Sequence, residues 1–182
     1  ILSDSELVEM LREPRTRREG FAVLVKQYSE KLYWKVRRIV LSHEDANDVL
    51  QNVFIKVWSN LQNFQGKSSL STWLYRIAVN ESLDFLRKQK LADKVSSDED
   101  VSVASRLMSD EYFDGDEVQA RLQEAVARLP EVQRTVFNLK YFEEMKYSEI
   151  SQILNTSEGA LKASYHLAVK KTPSHGLPIN LY

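Results

Sequence analysis

Cysteine is absent from all 182 residues, which removes disulfides, thiol chemistry and cysteine metal sites together. Histidine is scarce. His43, His166 and His175 are scattered, none with a second His or a carboxylate at ligand spacing, so no metal site is expected. No apolar run approaches the ~20 residues that a membrane-spanning helix needs. The start, ILSDSELVEML, has no basic region followed by an apolar stretch of signal-peptide type. A cytoplasmic location is the expectation. Catalytic groupings are missing as well: there is no evident set of nucleophile, base and oxyanion donor, and no glycine-rich phosphate loop follows a strand. The chain is therefore expected to be a non-enzyme with no cofactor and no small-molecule substrate.

What is present is a segregated charge. The net value of -1 conceals -3 in residues 1–14, +7 in 15–92, -7 in 93–117 and +2 in 118–182. A basic domain beside an acidic strip fits a nucleic-acid binder whose linker mimics or repels nucleic acid. The length holds one ordinary domain or two small ones.

Hydrophobic spacing predicts helices throughout. Residues 1–14 predict a short helix ended near Pro14. From Phe21 to Val40 the apolar residues again fall at helical spacing, and Lys31, Lys35 and Arg38 share the exposed side, either as a solvated face or as a contact for phosphate or an acidic partner. Between Asp45 and Leu61 the apolar positions are 46, 49, 50, 53, 54, 57, 58 and 61, more than four turns of one core-facing stripe. The opposite face carries Asp45, Asp48, Asn52, Ile55 and Ser59. A solvated face has no need of Ile55. A polar connection over 62–69 leads to a helix from about Ser71 to Arg87-Lys88, with Ser69 or Ser71 as its cap.

Residues 91–117 break the periodicity and collect acids and serines, which marks a domain boundary. Beyond it, Leu122, Ala125, Val126 and Leu129 form one stripe, Pro130 ends that helix and opens the next, and Val136, Phe137, and Leu139 or Tyr141 are core candidates. A short helix, a break at Asn155-Thr156-Ser157 and a helix from about Glu158 with Ser157 as N-cap describe a helix-turn-helix. The tail TPSHGLPINLY abandons helical patterning. The fold class expected is all-α, two small helical domains joined by a flexible acidic linker. Their bounds are 1–92 and 118–171, with the linker at 93–117 and a disordered tail at 172–182.

The run DVLQNVFIKVW, then FQGKSSLSTWLYRIAVN, followed by the helix-turn-helix, resembles the bacterial sigma factors of the extracytoplasmic-function (ECF) class of the sigma-70 family. The resemblance spans about residues 15–171 and implies the following roles. The helix at 45–61 grips a coiled coil of the β′ subunit of RNA polymerase core through Asp45, Asp48, Gln51, Asn52 and Ile55, an aliphatic centre with a polar rim. A macrodipole role for Asp45 and Asp48 at the helix start is the competing reading. The connection and next helix capture a base flipped from the minus-ten element through Phe64, Gly66, Lys67, Ser68, Ser69, Trp73, Arg76 and Asn80. Asn80 suits a base edge because its amide offers donor and acceptor together. Trp73 lies on the apolar stripe with Ile77, where a core role competes with and outweighs a stacking platform, and Phe64 is equally open to plugging the loop and to touching DNA.

The acidic linker threads through core near the active centre, or serves only as a tether. In the minus-thirty-five element the last helix presents Glu158, Lys162, Ala163, Tyr165, His166 and Lys170 to the major groove, with Lys162 the leading phosphate or guanine contact. Ala163 and Leu167 depart from the small polar and arginine residues common on that surface in the family. The partners implied are polymerase core, including its β flap, promoter DNA and an anti-sigma factor. Two rival readings fit the same residues: a stand-alone helix-turn-helix regulator, and an adaptor without DNA affinity.

Overall fold

The computed structural model describes residues 1–64, 66–92 and 117–172; most of the acidic stretch and the tail from 173 lie outside them. Every regular element among the described residues is helical. The chain divides into two compact units, Ile1–Asp93 and Lys94–Tyr182.

In the first unit, α1 (Asp4–Arg12) opens with a capping box: Ser3 Oγ accepts the Glu6 N–H, and the Glu6 carboxylate accepts the Ser3 N–H. Helix α2 (Arg17–Val40) begins a turn earlier than its apolar spacing predicts. Gly20 explains how α1 and α2 approach, since a Cβ there would fall 2.9 Å from Met10 Cβ. At the other end Leu41 turns the chain with φ 73°. Arg37, only 4 % exposed, braces that turn by donating to Leu41 O and to the Tyr33 hydroxyl. Helix α3 (His43–Asn60) follows, with Ser42 Oγ accepting the Asp45 N–H. After a 3₁₀ turn (Leu61–Asn63) and a loop comes α4 (Leu70–Ala92). Helix α2 lies against α1, α3 and α4, and α3 against α4. Leu24, Leu32 and Val36 of α2, Val49 and Val53 of α3, and Leu74 and Ala78 of α4 are buried where these helices pack together. Lys56 pairs with Glu81 across α3 and α4.

The basic stripe of α2 is less exposed than its spacing suggests. Lys31 is exposed, but Lys35 is half-buried with Nζ 4.0 Å from the Tyr75 ring centre, and Arg38 is also half-buried. Burial first, then the charges of Arg38 and Lys31, lower the Lys35 pKa from 10.5 to about 8. Between those two values the unfolded chain holds a proton that the folded chain has released, so stability rises with pH across that window. Thermal melting at pH 7.5 and pH 9, below the titration of the phenols, should show this gain in the native chain and a smaller one in Lys35→Met. Equal gains in both would remove Lys35 as its source.

In the second unit, α5 (Glu117–Ala127) is followed by Pro130 and α6 (Glu131–Phe137). A π-helical turn (Asn138–Phe142), α7 (Tyr147–Leu154) and α8 (Glu158–Lys171) complete it. Helix α8 packs on α6 and α7 around Phe137, Leu139, Ile150 and Leu161. The alternative between Leu139 and Tyr141 resolves by the π turn: Leu139 is buried, while half-buried Tyr141 stacks on Phe137 at 5.1 Å. Two bounds shift. Glu117 already belongs to α5, and Thr172 is buried, its hydroxyl donating to Ala168 O, so it belongs with α8 and not with the tail.

Candidate protein and nucleic-acid interfaces

Helix α3 carries the first candidate surface. Asp48, Gln51, Asn52 and Ile55 are exposed and Asp45 is half-buried at the helix start, where it suits the macrodipole as well as a partner. Ile55 is 63 % exposed, an expensive posture for an aliphatic side chain of this size. It borders an open apolar hollow of about 410 Å³ lined also by Arg18, Phe21, Phe54 and Trp58. Phe21 meets Trp58 edge-on at 5.1 Å and Phe54 at 6.4 Å. Periodicity had assigned Phe54 and Trp58 to the core stripe, yet Phe54 is half-buried and Trp58 is exposed. The buried stripe is the narrower set Ala46, Val49, Val53 and Val57. Sequence reasoning therefore missed the aromatic half of this surface. The width of the apolar stripe, more than α2 and α4 can cover, was the available signal.

The second surface is built from the loop and α4. Gly66 takes φ 72°, the left-handed region that favours glycine. Phe64 and Trp73 are both half-buried with ring centres 5.0 Å apart, so each ring supports the other and both keep an outer surface. Ser69 is the cap of α4: its Oγ accepts the Thr72 N–H and donates to Thr72 Oγ1, which commits that hydroxyl within the fold. Lys67 is exposed and Ser68 half-buried. Trp73, Arg76 and Asn80 follow one another at i, i+3 and i+7 and so share a face of α4. Asn80 is exposed. Arg76 is half-buried, and its Nε is enclosed with no hydrogen-bond partner among the described residues. Farther along, Arg87 is paired with Asp84 at 2.9 Å.

The third surface is the helix-turn-helix. Asn155 takes the left-handed conformation (φ 53°) that ends α7, and Ser157 Oγ accepts the Ala160 N–H to start α8. Glu158, Lys162, Ala163, His166 and Lys170 are exposed, and so are Gly159 and Leu167. A Cβ on Gly159 would meet nothing within the protein. Tyr165 departs from its expected place in the groove: it is 1 % exposed and packs against Phe137 at 5.9 Å and Tyr147 at 6.4 Å. Leu161, Tyr165 and Ala168 lie at i, i+4 and i+7, the buried side of α8, and that spacing could have excluded Tyr165 from the reading surface. Burial pushes its phenol up to about 12, with smaller contributions from Tyr147 and Tyr141.

Among the described residues, no three acidic or histidine side chains converge as metal ligands, and no helix is long and apolar enough to cross a membrane.

Residues 24–92 match the family described as Sigma-70 region 2, and residues 119–172 match Sigma-70, region 4. The ECF RNA polymerase sigma factor SigW of Bacillus subtilis is 33% identical over 157 residues, covering 81% of this chain and 84% of SigW. The RNA polymerase sigma-H factor of Pseudomonas aeruginosa is 31% identical over 169 residues, covering 88% of this chain and 86% of that relative. In fold, the chain is similar to sigma factor RpoE of Bartonella quintana, solved in complex with the anti-sigma factor NepR. That likeness has a TM-score of 0.64 at 20% identity, over 84% of this chain and 94% of the other.

Proposed function

The chain belongs to the extracytoplasmic-function class of the sigma-70 family, and from that premise we propose how its residues divide the work of a sigma factor. As a sigma factor it binds RNA polymerase core and promoter DNA and directs transcription initiation. Because the family match spans both units, a stand-alone regulator has no support. Polymerisation chemistry belongs to the core, so the chain itself is a non-enzymatic subunit acting in the cytoplasm.

The first unit docks on a coiled coil of the β′ subunit through Asp45, Asp48, Gln51, Asn52 and Ile55, with Trp58 and Phe21 extending the apolar centre. It then takes the minus-ten element. Phe64 and Trp73 form a two-ring platform, Gly66, Lys67 and Ser68 line the loop beside it, and Ser69 holds the loop to α4. Asn80 reads the edge of a flipped base, and Arg76 contacts the backbone or the base stack. The second unit reads the minus-thirty-five element through Glu158, Lys162, Ala163, His166 and Lys170, and also meets the β flap. An anti-sigma factor is the proposed regulatory partner, with the exposed faces of either unit as its target.

The observation that carries this reading is the alignment of Trp73, Arg76 and Asn80 on one face of α4, beside a glycine-containing loop and a paired aromatic platform. Transcription of a randomised promoter pool by purified core, with and without the chain, is the test. Chain-dependent transcripts sharing two spaced upstream motifs are expected. With Asn80→Ala the same pool should lose discrimination at one melted position by about 10-fold or more, the scale of a lost bidentate base contact. A uniform loss at every position would make Asn80 structural, and no gain over core alone would overturn the whole division of labour.

A further inference from the structure

The match to region 2 begins at residue 24, so α1 and the corner that joins it to α2 lie outside it. Their packing is closely specified all the same. The Gln27 side chain accepts the Leu2 N–H at 2.9 Å and donates to Leu2 O at 3.1 Å, and the Tyr28 hydroxyl donates to Asp4 at 2.6 Å. These bonds fasten the start of α1 to the middle of α2. At its other end, the last carbonyls of a helix lack intrahelical partners. Here Thr16 Oγ1 donates to Met10 O at 2.8 Å, Arg17 Nε to Leu11 O at 2.9 Å and Arg17 Nη2 to Arg12 O at 3.2 Å. The backbone of Arg12 is thereby fixed to the start of α2.

From that corner the Arg12 side chain reaches the loop before α4. A Cβ placed on Gly66 would fall 3.0 Å from Arg12 Nη2, so the guanidinium stands on the side of Gly66 from which a side chain would project. Only glycine leaves that space open, and its φ of 72° disfavours any other residue there.

The loop has firm ends and little between them. Phe64 donates its N–H to Leu61 O at 3.3 Å, and Ser69 caps α4. Among the described residues, Gly66, Lys67 and Ser68 make no hydrogen bond to another element. The place of such a loop is decided by what it rests on, and Arg12 is the side chain set against it. Arg12 is exposed and has no ion-pair partner among the described residues. A cation in the last turn of α1 also suits the macrodipole, but that effect needs a charge and not this reach.

We propose that Arg12 is a positioning residue for base selection in the minus-ten element. Held by the corner between α1 and α2, it sets where the Gly66 loop sits beside the Phe64 and Trp73 rings, and so the shape of the place a flipped base enters. This rests on the reading of that loop and α4 as the minus-ten site. Arg12 itself touches no base. It acts through Gly66, and a looser loop admits wrong bases along with the right one.

The test uses holoenzyme assembled from polymerase core and the full chain, bound to forked duplexes with each of the four bases in turn at every melted position. Arg12→Ala should lower discrimination at the most selective position by roughly 3- to 10-fold, part or all of one bidentate base contact. Its slope of log affinity against log salt should stay native, since a lost single-strand phosphate contact would lower it by about 0.7. Gly66→Ala should lower discrimination as well. Adding Arg12→Ala to it should cost nothing further, because the contact through which Arg12 acts is already broken. Native discrimination in Arg12→Ala, an equal weakening for all four bases, a lower salt slope, or additive losses in the double variant each overturn the proposal alone. Native holoenzyme that prefers no base at any melted position overturns the minus-ten reading and the proposal with it.

Discussion

The double variant Ile55→Ala, Asp48→Ala is expected to bind polymerase core at least about 10-fold more weakly while keeping its helical content. Ile55 stands 63 % exposed at the edge of a hollow walled by Phe21, Phe54 and Trp58. Covering a side chain of that size on docking is worth about 1.5–3 kcal/mol, and each 1.4 kcal/mol is tenfold in affinity. Asp48 lies two turns earlier on the same exposed side of α3. A charge at the rim acts mainly on the association rate, so its share should shrink as salt rises. The fold has little to lose from either change, because both side chains project outward and alanine is the best helix former. Titration of core with labelled chain measures the affinity, and far-ultraviolet circular dichroism checks the helices. An unchanged dissociation constant would remove α3 as the docking helix. If only the single Trp58→Ala change proved damaging, the hollow would be the docking centre and the acidic rim incidental.

Tyr165→Ala is expected to unfold the second unit and leave the first intact. The side chain is among the largest that are fully enclosed, and it joins Phe137 on α6 to Tyr147 on α7 through α8. Emptying such a site costs about 3–5 kcal/mol, by analogy with Phe→Ala and Trp→Ala in other cores. A helical unit this small has a margin near the low end of the usual 5–15 kcal/mol, so the loss consumes most of it. Tyr165→Phe keeps the ring and should stay folded. Two-dimensional amide spectra separate the outcomes, because resonances of α6 to α8 should collapse while those of α2 to α4 persist. Binding to the minus-thirty-five element should fail together with the fold. A Tyr165→Ala chain that is fully folded and yet loses that binding would return Tyr165 to the groove.

Tyr165 also shows where the sequence stops being legible. Its neighbours Lys162, Ala163 and His166 are exposed as expected, and so are Glu158 and Lys170. Motif position put Tyr165 among them, while its spacing from Leu161 and Ala168 puts it in the core. When the two conflict, the spacing wins, because burial of an aromatic ring is a large energy and position in a motif is none. Phe54 and Trp58 err in the opposite direction. Both sit on an apolar stripe that looked like core, but α2 and α4 cover only its centre. How much of a stripe is covered depends on the partner helices, which no local pattern encodes.

By itself, the sequence determined the all-α class, the cap at Ser157, a cap for α4 at Ser69 or Ser71, the helix-turn-helix break at Asn155-Thr156-Ser157 and the family. These follow from periodicity, hydroxyl chemistry and long ordered motifs, all of which act over a few turns of chain. Only the tertiary structure decided the pairing of Phe64 with Trp73, the hollow beside Ile55, the seating of Lys35 against the Tyr75 ring, and the approach of Lys140 to the Tyr147 ring. Each of these joins separate elements, and their meeting is set by helix packing angles and by the π turn rather than by the residues on either side.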